Sequence, residues 1–373
     1  MPQRPGVASG RATRRVVSGV PSARAVPGED PAGSRPIRSH PAGSPAAGSP
    51  STAGTATGNT PTGSPSTAGT ATGNASVGVA PLIDAHGHMQ ADPFAQDLVS
   101  VLAAAAEARV VRLMVPGWDL GSSREAVALA RAAAGSVVGI GPFPVPIDAG
   151  VGIHPHVATG VDDSTWEEIC ALAEDPLVLA IGETGLDYDR LFSPRQAQLE
   201  NLRRHLALGR TTGKPVILHC RSAAGQRDAQ DDLLAALREA GIGDEAWGRA
   251  LQGRPPAILH SFSGPVDYAE TGLALGLAIS FSGLVFRRGE EPSADVVRLV
   301  PPGRLLVETD APYLSPPGAP RRRNEPAWVR VTAAWVAERR GEDPALVGER
   351  LVAAYDATFH GPTGVARVAT ARG

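Results

Sequence analysis

Six residues that can bind a metal ion stand at the ends of separate apolar runs in this chain of 373 residues. His86 and His88 close the run LIDAHGH, and the other four follow later runs: Glu183, His219, His260 and Asp310. Each run of four or five apolar residues is typical of a strand buried on both faces. A (β/α)8 barrel brings the C-terminal ends of its parallel strands to one mouth, so ligands distant in sequence meet in space. The pattern therefore predicts an α/β fold, a TIM barrel with a metal site at its mouth.

Eight such runs alternate with stretches of helical periodicity, which is the order of a (β/α)8 barrel or a doubly wound sheet. The predicted strands are 82–86, 112–116, 151–154, 178–183, 215–219, 257–260, 277–282 and 304–310. Helical patterns cover 97–109, 123–135, 193–213 and 228–241, and a last helix pair is expected over 326–352. The barrel is favoured because ligands follow five different strands, whereas an open sheet concentrates its site at one switch point. The Pro- and Gly-rich stretch between Val138 and Val151 is predicted to be a loop ahead of the third strand.

The chain divides by composition into a tail, residues 1–80, and a domain, residues 81–373. The tail is dominated by Gly, Ala, Ser, Thr and Pro, and the twelve residues GSPSTAGTATGN occur in it twice. Such a segment buries too little apolar surface to offset its chain entropy, so we expect it to be disordered. It carries seven Arg against two acidic residues, whereas the domain carries 28 basic and 36 acidic groups. Any basic surface for nucleic acid must therefore be local on the domain.

The two cysteines do not suggest a disulfide scaffold. Cys220 directly follows His219, so on a strand its side chain points the opposite way and is expected to be an inert, buried thiol. Cys170 lies in a helical pattern and is expected on its core face. No run of about 18 apolar residues is present, so no transmembrane helix is predicted. A reduced, cytoplasmic location is the expectation, and the sequence leaves the oligomeric state open.

The ligand set predicts the chemistry of the site. Two positions separate His86 from His88, so on a strand both side chains leave the same face and can hold one ion together. Four imidazoles and two carboxylates are too many for one tetrahedral catalytic ion. They suit two divalent ions a few ångströms apart, an arrangement used to hydrolyse phosphate esters.

The domain resembles the TatD family of metal-dependent deoxyribonucleases, within the amidohydrolase-like barrels. The resemblance runs from Leu82 to Phe359 and rests on the stretches DAHGHM, MVPGWD, VGIHPH, AIGETGLDYDR, KPVILHCR, ILHSFSG, ISFSG, LLVETDAPYLSP and RRNEPAWV. It implies a barrel with two divalent ions that hydrolyses DNA, often from a 3′ end or on single strands. The sequence departs from the family where Asp-Ala usually follows His-Cys-Arg, because Ser222 stands there.

The resemblance also implies roles for the site residues. His86 and His88 are similar to the ligands of the first ion, Glu183 to the residue that bridges both ions, and His219 and His260 to the ligands of the second. Asp310 would complete the shell of the first ion and accept the proton of the attacking water, so Asp310 and Glu183 are the expected catalytic residues. His154 is similar to a residue that contacts substrate or supports the ligands.

Arginines in loops after the seventh and eighth strands are expected to face the mouth and bind phosphate. They are Arg287, Arg288 and the run Arg321 to Arg323. Arg suits phosphate because its planar fork can bind two oxygens at once. Tyr313 and Trp118 also follow strands, where they can stack on bases.

The identity of the ions and the substrate remain open from the sequence. Imidazole ligands favour Zn²⁺ or Mn²⁺, whereas Mg²⁺ prefers oxygen ligands and is the ion usually associated with the family's nuclease activity. The same kind of site can hydrolyse an amide or the ester of a D-aminoacyl-tRNA, which is the main alternative to DNA. A binding protein with a degenerate site is a second alternative, but all six ligands are present.

Overall fold

The structure is a computed structural model, which describes residues 80–137 and 143–361. Eight parallel strands follow one another around a barrel in chain order. The strands are β1 (Leu82–Asp84), β2 (Val110–Pro116), β3 (Ile147–Val151), β4 (Val178–Asp187), β5 (Val216–Arg221), β6 (Ala257–Leu259), β7 (Ala278–Phe281) and β8 (Leu305–Val307). The ring returns from β8 to β1 through a hydrogen bond from Ala85 N to Val307 O and a parallel bridge between Gly87 and Ala311. The predicted TIM barrel is therefore confirmed.

Ten α-helices surround the strands in the described part of the chain. They are α1 (Leu98–Glu107), α2 (Leu120–Val137), α3 (Asp163–Ala173), α4 (Arg195–Thr212), α5 (Asp228–Glu239), α6 (Glu245–Leu251), α7 (Val266–Ala274), α8 (Ser293–Leu299), α9 (Val329–Arg340) and α10 (Pro344–Tyr355). The four helical patterns in the sequence correspond to α1, α2, α4 and α5. The expected last pair is α9 and α10, and both contact β1 from outside the barrel. None of the helices described is long and apolar enough to cross a membrane.

The third strand begins earlier than the sequence pattern predicts. Residues 147–150 were expected to lie in a loop, but they pair with 113–116 of β2 and belong to β3. Asp148 looks out of place in a buried strand, yet Tyr355 Oη and His360 Nε2 lie 2.8 and 2.9 Å from its Oδ2 and satisfy it. Partners supplied from the far end of the chain therefore allow a carboxylate in this strand. The part of the predicted loop at 138–142 lies outside the described residues, as does the predicted tail apart from Ala80.

Apolar side chains of the strands belong to one hydrophobic core, and polar side chains collect at the C-terminal ends of the strands. Ile83, Met114 and Leu218 are fully buried in this core. Glu183 lies in a bulge of β4, where three steps from Ile181 to Thr184 match only two steps on β5. A bulge re-aims side chains beside a site, and here it occurs where the Glu183 side chain meets the histidines of the mouth.

Candidate metal centre at the barrel mouth

The carboxylate of Glu183 joins two groups of histidines. Its Oε2 faces His86 and His88, and its Oε1 faces His154, His219 and His260. The side chain is buried, with only 4% of its area exposed. One carboxylate thus presents a different oxygen to each side of the site.

The first group, cluster one, consists of His86, His88, Asp310 and Glu183 Oε2. The Nε2 atoms of the two histidines lie 3.2 Å apart. They lie 3.3 and 3.6 Å from Glu183 Oε2, and 3.8 and 3.5 Å from Asp310 Oδ1. Four atoms with available lone pairs therefore converge on one space.

The second group, cluster two, consists of His154, His219, His260 and Glu183 Oε1. This oxygen lies 3.2 Å from His154 Nε2, 3.0 Å from His219 Nδ1 and 2.9 Å from His260 Nε2. His260 Nε2 and His219 Nδ1 are 3.5 Å apart. His154 was expected to contact substrate or to support the ligands. Its distance to Glu183 is similar to that of the two expected ligands, so it is also a candidate ligand of cluster two.

Both clusters have the dimensions of a metal site. A tetrahedral ion with bonds of about 2.1 Å has ligand atoms about 3.4 Å apart. The ligand distances in cluster one scatter around that value, and those in cluster two include it. His86, His88 and Glu183 form one group able to hold an ion, and His154, Glu183 and His219 form another. The residues present therefore fit divalent cations.

The charges of the site support this fit. Burial alone would raise the pKa of Glu183, but His154 and His260 outweigh it and hold this pKa well below its usual range. Burial lowers the pKa of His154 to about 4, even though Glu183 opposes the shift. Burial and the neighbouring His260 likewise lower the pKa of His86. Burial opposes protonation of His88, His219 and His260 too, but the neighbouring carboxylates outweigh it and raise the pKa of all three. Glu183 is therefore ionised, and binding of a metal cation would release protons from these histidines.

Three buried carboxylates of the site were not predicted from the sequence. Glu308 Oε1 accepts a hydrogen bond from Ser261 N at 2.6 Å and lies 3.1 Å from His260 Nδ1, on the ring edge away from Glu183. Asp187 Oδ2 lies 3.4 Å from His219 Nε2 and 2.7 Å from His156 Nε2. Carboxylates in such positions orient metal-binding histidines. The sequence did contain a signal for these carboxylates. Each acidic residue interrupts or follows an apolar run and lies within four residues of a predicted ligand.

Asp84 is the third of these carboxylates, and it is fully buried at the end of β1. Burial raises its pKa to about 8, against the opposing hydrogen bonds from Thr309 and from the backbone of His86. It accepts from His86 N at 3.3 Å and from Thr309 N at 2.9 Å. It therefore connects the segment that carries His86 with the segment that carries Asp310.

The predicted phosphate-binding arginines fall into two kinds, exposed ones without an acidic partner and one that is paired. Arg287, Arg288 and Arg321 are exposed. Among residues 80–137 and 143–361, none of the three forms an ion pair with an acidic side chain. Arg323 is half-buried, with 29% of its side chain exposed, and it is paired with Asp97 at 2.8 Å and Glu325 at 3.3 Å. The structure brings none of the first three into contact with the described residues of the two clusters.

Two aromatic residues border cluster one as expected. The ring centroids of Trp118 and Tyr313 lie 5.2 and 6.1 Å from that of His88. Tyr313 is 59% exposed, which leaves much of its surface open to a ligand.

The structure also explains the departure from the family pattern at Ser222, and it places both cysteines. Ser222 Oγ donates to Gln230 Oε1 and accepts from Ala229 N, so it organises the start of α5 rather than His219. Cys220 is partly buried, and burial raises the pKa of its thiol to about 12, as expected of an inert thiol. Cys170 is partly buried against the core.

Comparisons with known proteins identify relatives that match most of the described domain. The family described as TatD related DNase matches residues 83–360. A protein of Enterobacter lignolyticus named 3'-5' ssDNA/RNA exonuclease TatD is 37% identical over 268 residues, covering 70% of this chain and 92% of its own length. The Bacillus subtilis protein named uncharacterized metal-dependent hydrolase YabD is 32% identical over 257 residues, covering 69% of this chain and 90% of its own.

Solved structures show the same architecture. The TatD homologue YJJV of Escherichia coli superposes with a TM-score of 0.61 at 28% identity, covering 75% of this chain and 98% of that chain. A TatD family hydrolase of Entamoeba histolytica has the same fold, with a TM-score of 0.64 at 19% identity, covering 76% and 99%. The match over the whole barrel and the histidine and carboxylate groups at its mouth lead to one conclusion: the chain belongs to the TatD family of metal-dependent hydrolases and nucleases.

Proposed function

We propose that this protein hydrolyses phosphodiester bonds of single-stranded nucleic acid, with DNA as the main substrate and 3′ ends as the point of attack. The observation that carries the proposal is the arrangement of Glu183, whose two oxygens face two separate ligand clusters. A centre for two divalent ions is suited to displacement at phosphorus. Relatives named 3'-5' ssDNA/RNA exonuclease supply the substrate class and the polarity, and their names include RNA.

The two clusters support a set of proposed ligands. His86, His88 and Asp310 would hold the first ion, His219 and His260 the second, and Glu183 both. When bound, the ions supply positive charge to a phosphate oxygen and lower the pKa of a water. Mg²⁺, Mn²⁺ and Zn²⁺ all remain candidates, because oxygen ligands favour the first and imidazoles favour the last two.

Different side chains would accept the proton, position the clusters and contact the substrate. Asp310 is 15% exposed, so its carboxylate reaches from cluster one into the open mouth, where it can accept the proton of the attacking water. Glu183 is more deeply buried and holds the clusters together. His154 belongs to cluster two, where it would contact either the second ion or the substrate phosphate. Arg287, Arg288 and Arg321 remain proposed phosphate contacts of a substrate that extends beyond the two clusters.

Metal analysis combined with a substrate panel tests this proposal. The double variant His86→Ala/His88→Ala should lose one of two divalent ions and nearly all hydrolysis of a single-stranded DNA oligonucleotide. His360→Ala is the matched control, because His360 pairs with Asp148 away from both clusters and should leave metal content and rate unchanged. Circular dichroism of all three proteins establishes that the barrel is intact. Unchanged DNA hydrolysis in the double variant would contradict the proposal.

The panel also addresses the alternatives. It contains single-stranded DNA, duplex DNA, RNA, a cyclic amide and D-aminoacyl-tRNA. Faster turnover of the amide or the aminoacyl ester than of DNA would assign a different bond to the same site. We also propose a cytoplasmic location, which the unpaired Cys170 and Cys220 support.

A further inference from the structure

The loop between β4 and α4 exposes two apolar residues beside the candidate metal centre. Phe192 is 65% exposed, the highest value among the large hydrophobic residues described, and Leu191 is 47% exposed. Single exposed apolar residues are common on protein surfaces and carry no inference by themselves. This pair differs from such residues because it lies on an anchored loop next to cluster two.

The loop is fastened on both sides of the exposed pair. Before it, Asp187 Oδ1 accepts from Asp189 N at 3.0 Å and from Arg190 N at 2.8 Å. After it, Ser193 Oγ donates to His156 O at 3.0 Å and accepts from Thr159 N at 3.1 Å. Phe192 is therefore presented to solvent by an anchored loop, which reduces the entropy lost when a ligand packs on it.

The ring of Phe192 is largely open to solvent. It meets the His156 ring at 4.8 Å between centroids with an angle of 87°, a perpendicular contact. No other aromatic ring packs on Phe192 within the described ranges. An aromatic ring with 65% of its surface exposed is suited to stack on another planar group.

His156 connects this ring to cluster two. Its Nε2 lies 2.7 Å from Asp187 Oδ2, the carboxylate that also approaches His219. The ring centroids of His156 and His219 are 6.1 Å apart. Phe192 thus borders the metal centre on the cluster-two side, whereas Tyr313 and Trp118 border it on the cluster-one side.

Two exposed arginines lie close to Asp189, in the loop that carries Phe192. The side chains of Arg190 and Arg221 are 53% and 52% exposed. Both approach the carboxylate of Asp189, at 3.9 and 2.9 Å, so two guanidinium groups share one acidic partner. Guanidinium groups with open faces bind phosphate well.

We propose that this surface, formed by Arg190, Leu191, Phe192 and Arg221 and called the β4 flank, is a binding subsite for one unpaired nucleotide of the substrate. A base stacks on Phe192, and Arg190 or Arg221 contacts a neighbouring phosphate. This rests on the proposed nuclease function and adds to it a residue that determines specificity. Bases inside a duplex are already stacked and paired, so an exposed aromatic ring favours single strands over duplexes.

Kinetics of the full-length holoenzyme test the proposal. Phe192→Ala should raise KM for a single-stranded oligonucleotide about five- to a hundredfold, the range for loss of one base–aromatic stack, with kcat within about twofold. KM for a blunt duplex should change little, so the preference for single strands falls by the same factor. Phe192→Trp should restore KM, because any large aromatic face can stack on a base. Leu346→Ala is the control for loss of an exposed apolar side chain, since Leu346 is 41% exposed on α10.

A second variant tests the phosphate contact. Arg221→Gln should weaken binding of the same oligonucleotide and reduce the slope of log affinity against log salt concentration by about one. Fluorescence anisotropy with a labelled oligonucleotide measures both effects.

The possible outcomes separate the subsite from the function. If wild type degrades single strands but Phe192→Ala has the same KM, the β4 flank is not a subsite and the nuclease function stands. If wild type degrades no nucleic acid, the proposed function itself fails. If Phe192→Ala loses metal, or changes the molecular mass in light scattering, Phe192 supports the fold or an interface between copies, and the subsite is overturned.

Discussion

Asp84 and Thr309 lie 225 positions apart and are joined by two hydrogen bonds, from Thr309 N to Asp84 Oδ1 at 2.9 Å and from Thr309 Oγ1 to Asp84 Oδ2 at 2.6 Å. The pair links the end of β1 to the segment after β8, where the barrel ring closes. His86 follows Asp84 by two residues and Asp310 follows Thr309 directly, so the same link sets the spacing of cluster one.

Thr309→Val tests this link, because valine keeps the shape and removes the hydroxyl. A buried carboxylate then loses one of its partners, and we expect the free energy of unfolding to fall by about 1–3 kcal/mol. Metal affinity should fall as well. Thr358→Val is the control, since the Thr358 hydroxyl donates to Ala354 O within the C-terminal helical segment and should affect stability alone. Urea unfolding with chelator and metal titration measure the two effects, and equal metal affinity in both variants would contradict the proposed coupling.

Asp310→Asn should reduce kcat more than it reduces metal content. Asp310 has a positive φ of 55°, a conformation that Asn also tolerates, so the backbone is expected to survive the change. Asn keeps a coordinating oxygen but cannot accept a proton, and removal of a positioned base lowers the rate by about 10²–10⁴. Rate and bound metal must be measured on the same sample.

Near-normal hydrolysis in Asp310→Asn with both ions retained would place the base elsewhere, with Glu183 as the next candidate. If the variant loses its ions, a pH–rate profile at saturating metal separates the two roles. Asp231→Asn is a suitable comparison, because Asp231 is an exposed residue of α5 that pairs with Arg227 outside both clusters.

Stability should fall in mild acid because of His205 on α4. Its Nε2 accepts from Ile153 N at 3.0 Å and its Nδ1 lies 2.7 Å from Asn201 O, so the folded chain requires the neutral ring. Burial lowers its pKa from 6.5 to about 4, although the hydrogen bond to Asn201 opposes the shift. Between these values the unfolded chain binds a proton that the folded chain does not, so the free energy of unfolding decreases as pH falls.

The full effect of His205 is about 3 kcal/mol, of which about 2 kcal/mol is lost by pH 5. His205→Gln does not titrate, and the glutamine oxygen can still accept from Ile153 N. We therefore expect the variant to be less stable than wild type at pH 7.5 and to approach it at pH 5. Urea unfolding at both pH values decides the matter, and a constant difference between the two proteins would exclude this origin.

A chain that begins at Val79 should keep the full kcat on single-stranded DNA. The tail, residues 1–80, lacks core-forming residues and precedes the matched family region, which begins at residue 83. Its seven Arg can still act as a weak electrostatic arm. A loss of affinity confined to low salt would show such an arm, whereas a large fall in kcat would mean that the tail reaches the site.

The sequence by itself was sufficient to predict the barrel and to identify six candidate metal ligands. Buried parallel strands need nearly continuous apolar runs, so each strand is visible locally, and an ionisable residue at the end of such a run stands out. His86 and His88 were expected together because of strand alternation. They do lie together, but beyond the end of β1, on an extended segment held by Gly87 and Ala311.

The tertiary structure alone decided how these residues are used. The bulge of β4 depends on pairing with β5, and it accompanies Gly185, where a Cβ would lie 1.9 Å from His219 O. The pairing of Arg323 with Asp97 joins residues 226 positions apart, and nothing local distinguishes it from Arg321. The sequence pattern predicts Asp148 in a loop, because its partners Tyr355 and His360 lie more than 200 residues later in the chain. Hydrophobic periodicity is a local property, whereas the partner of a polar group is chosen by contacts between distant segments, which only the folded chain brings together.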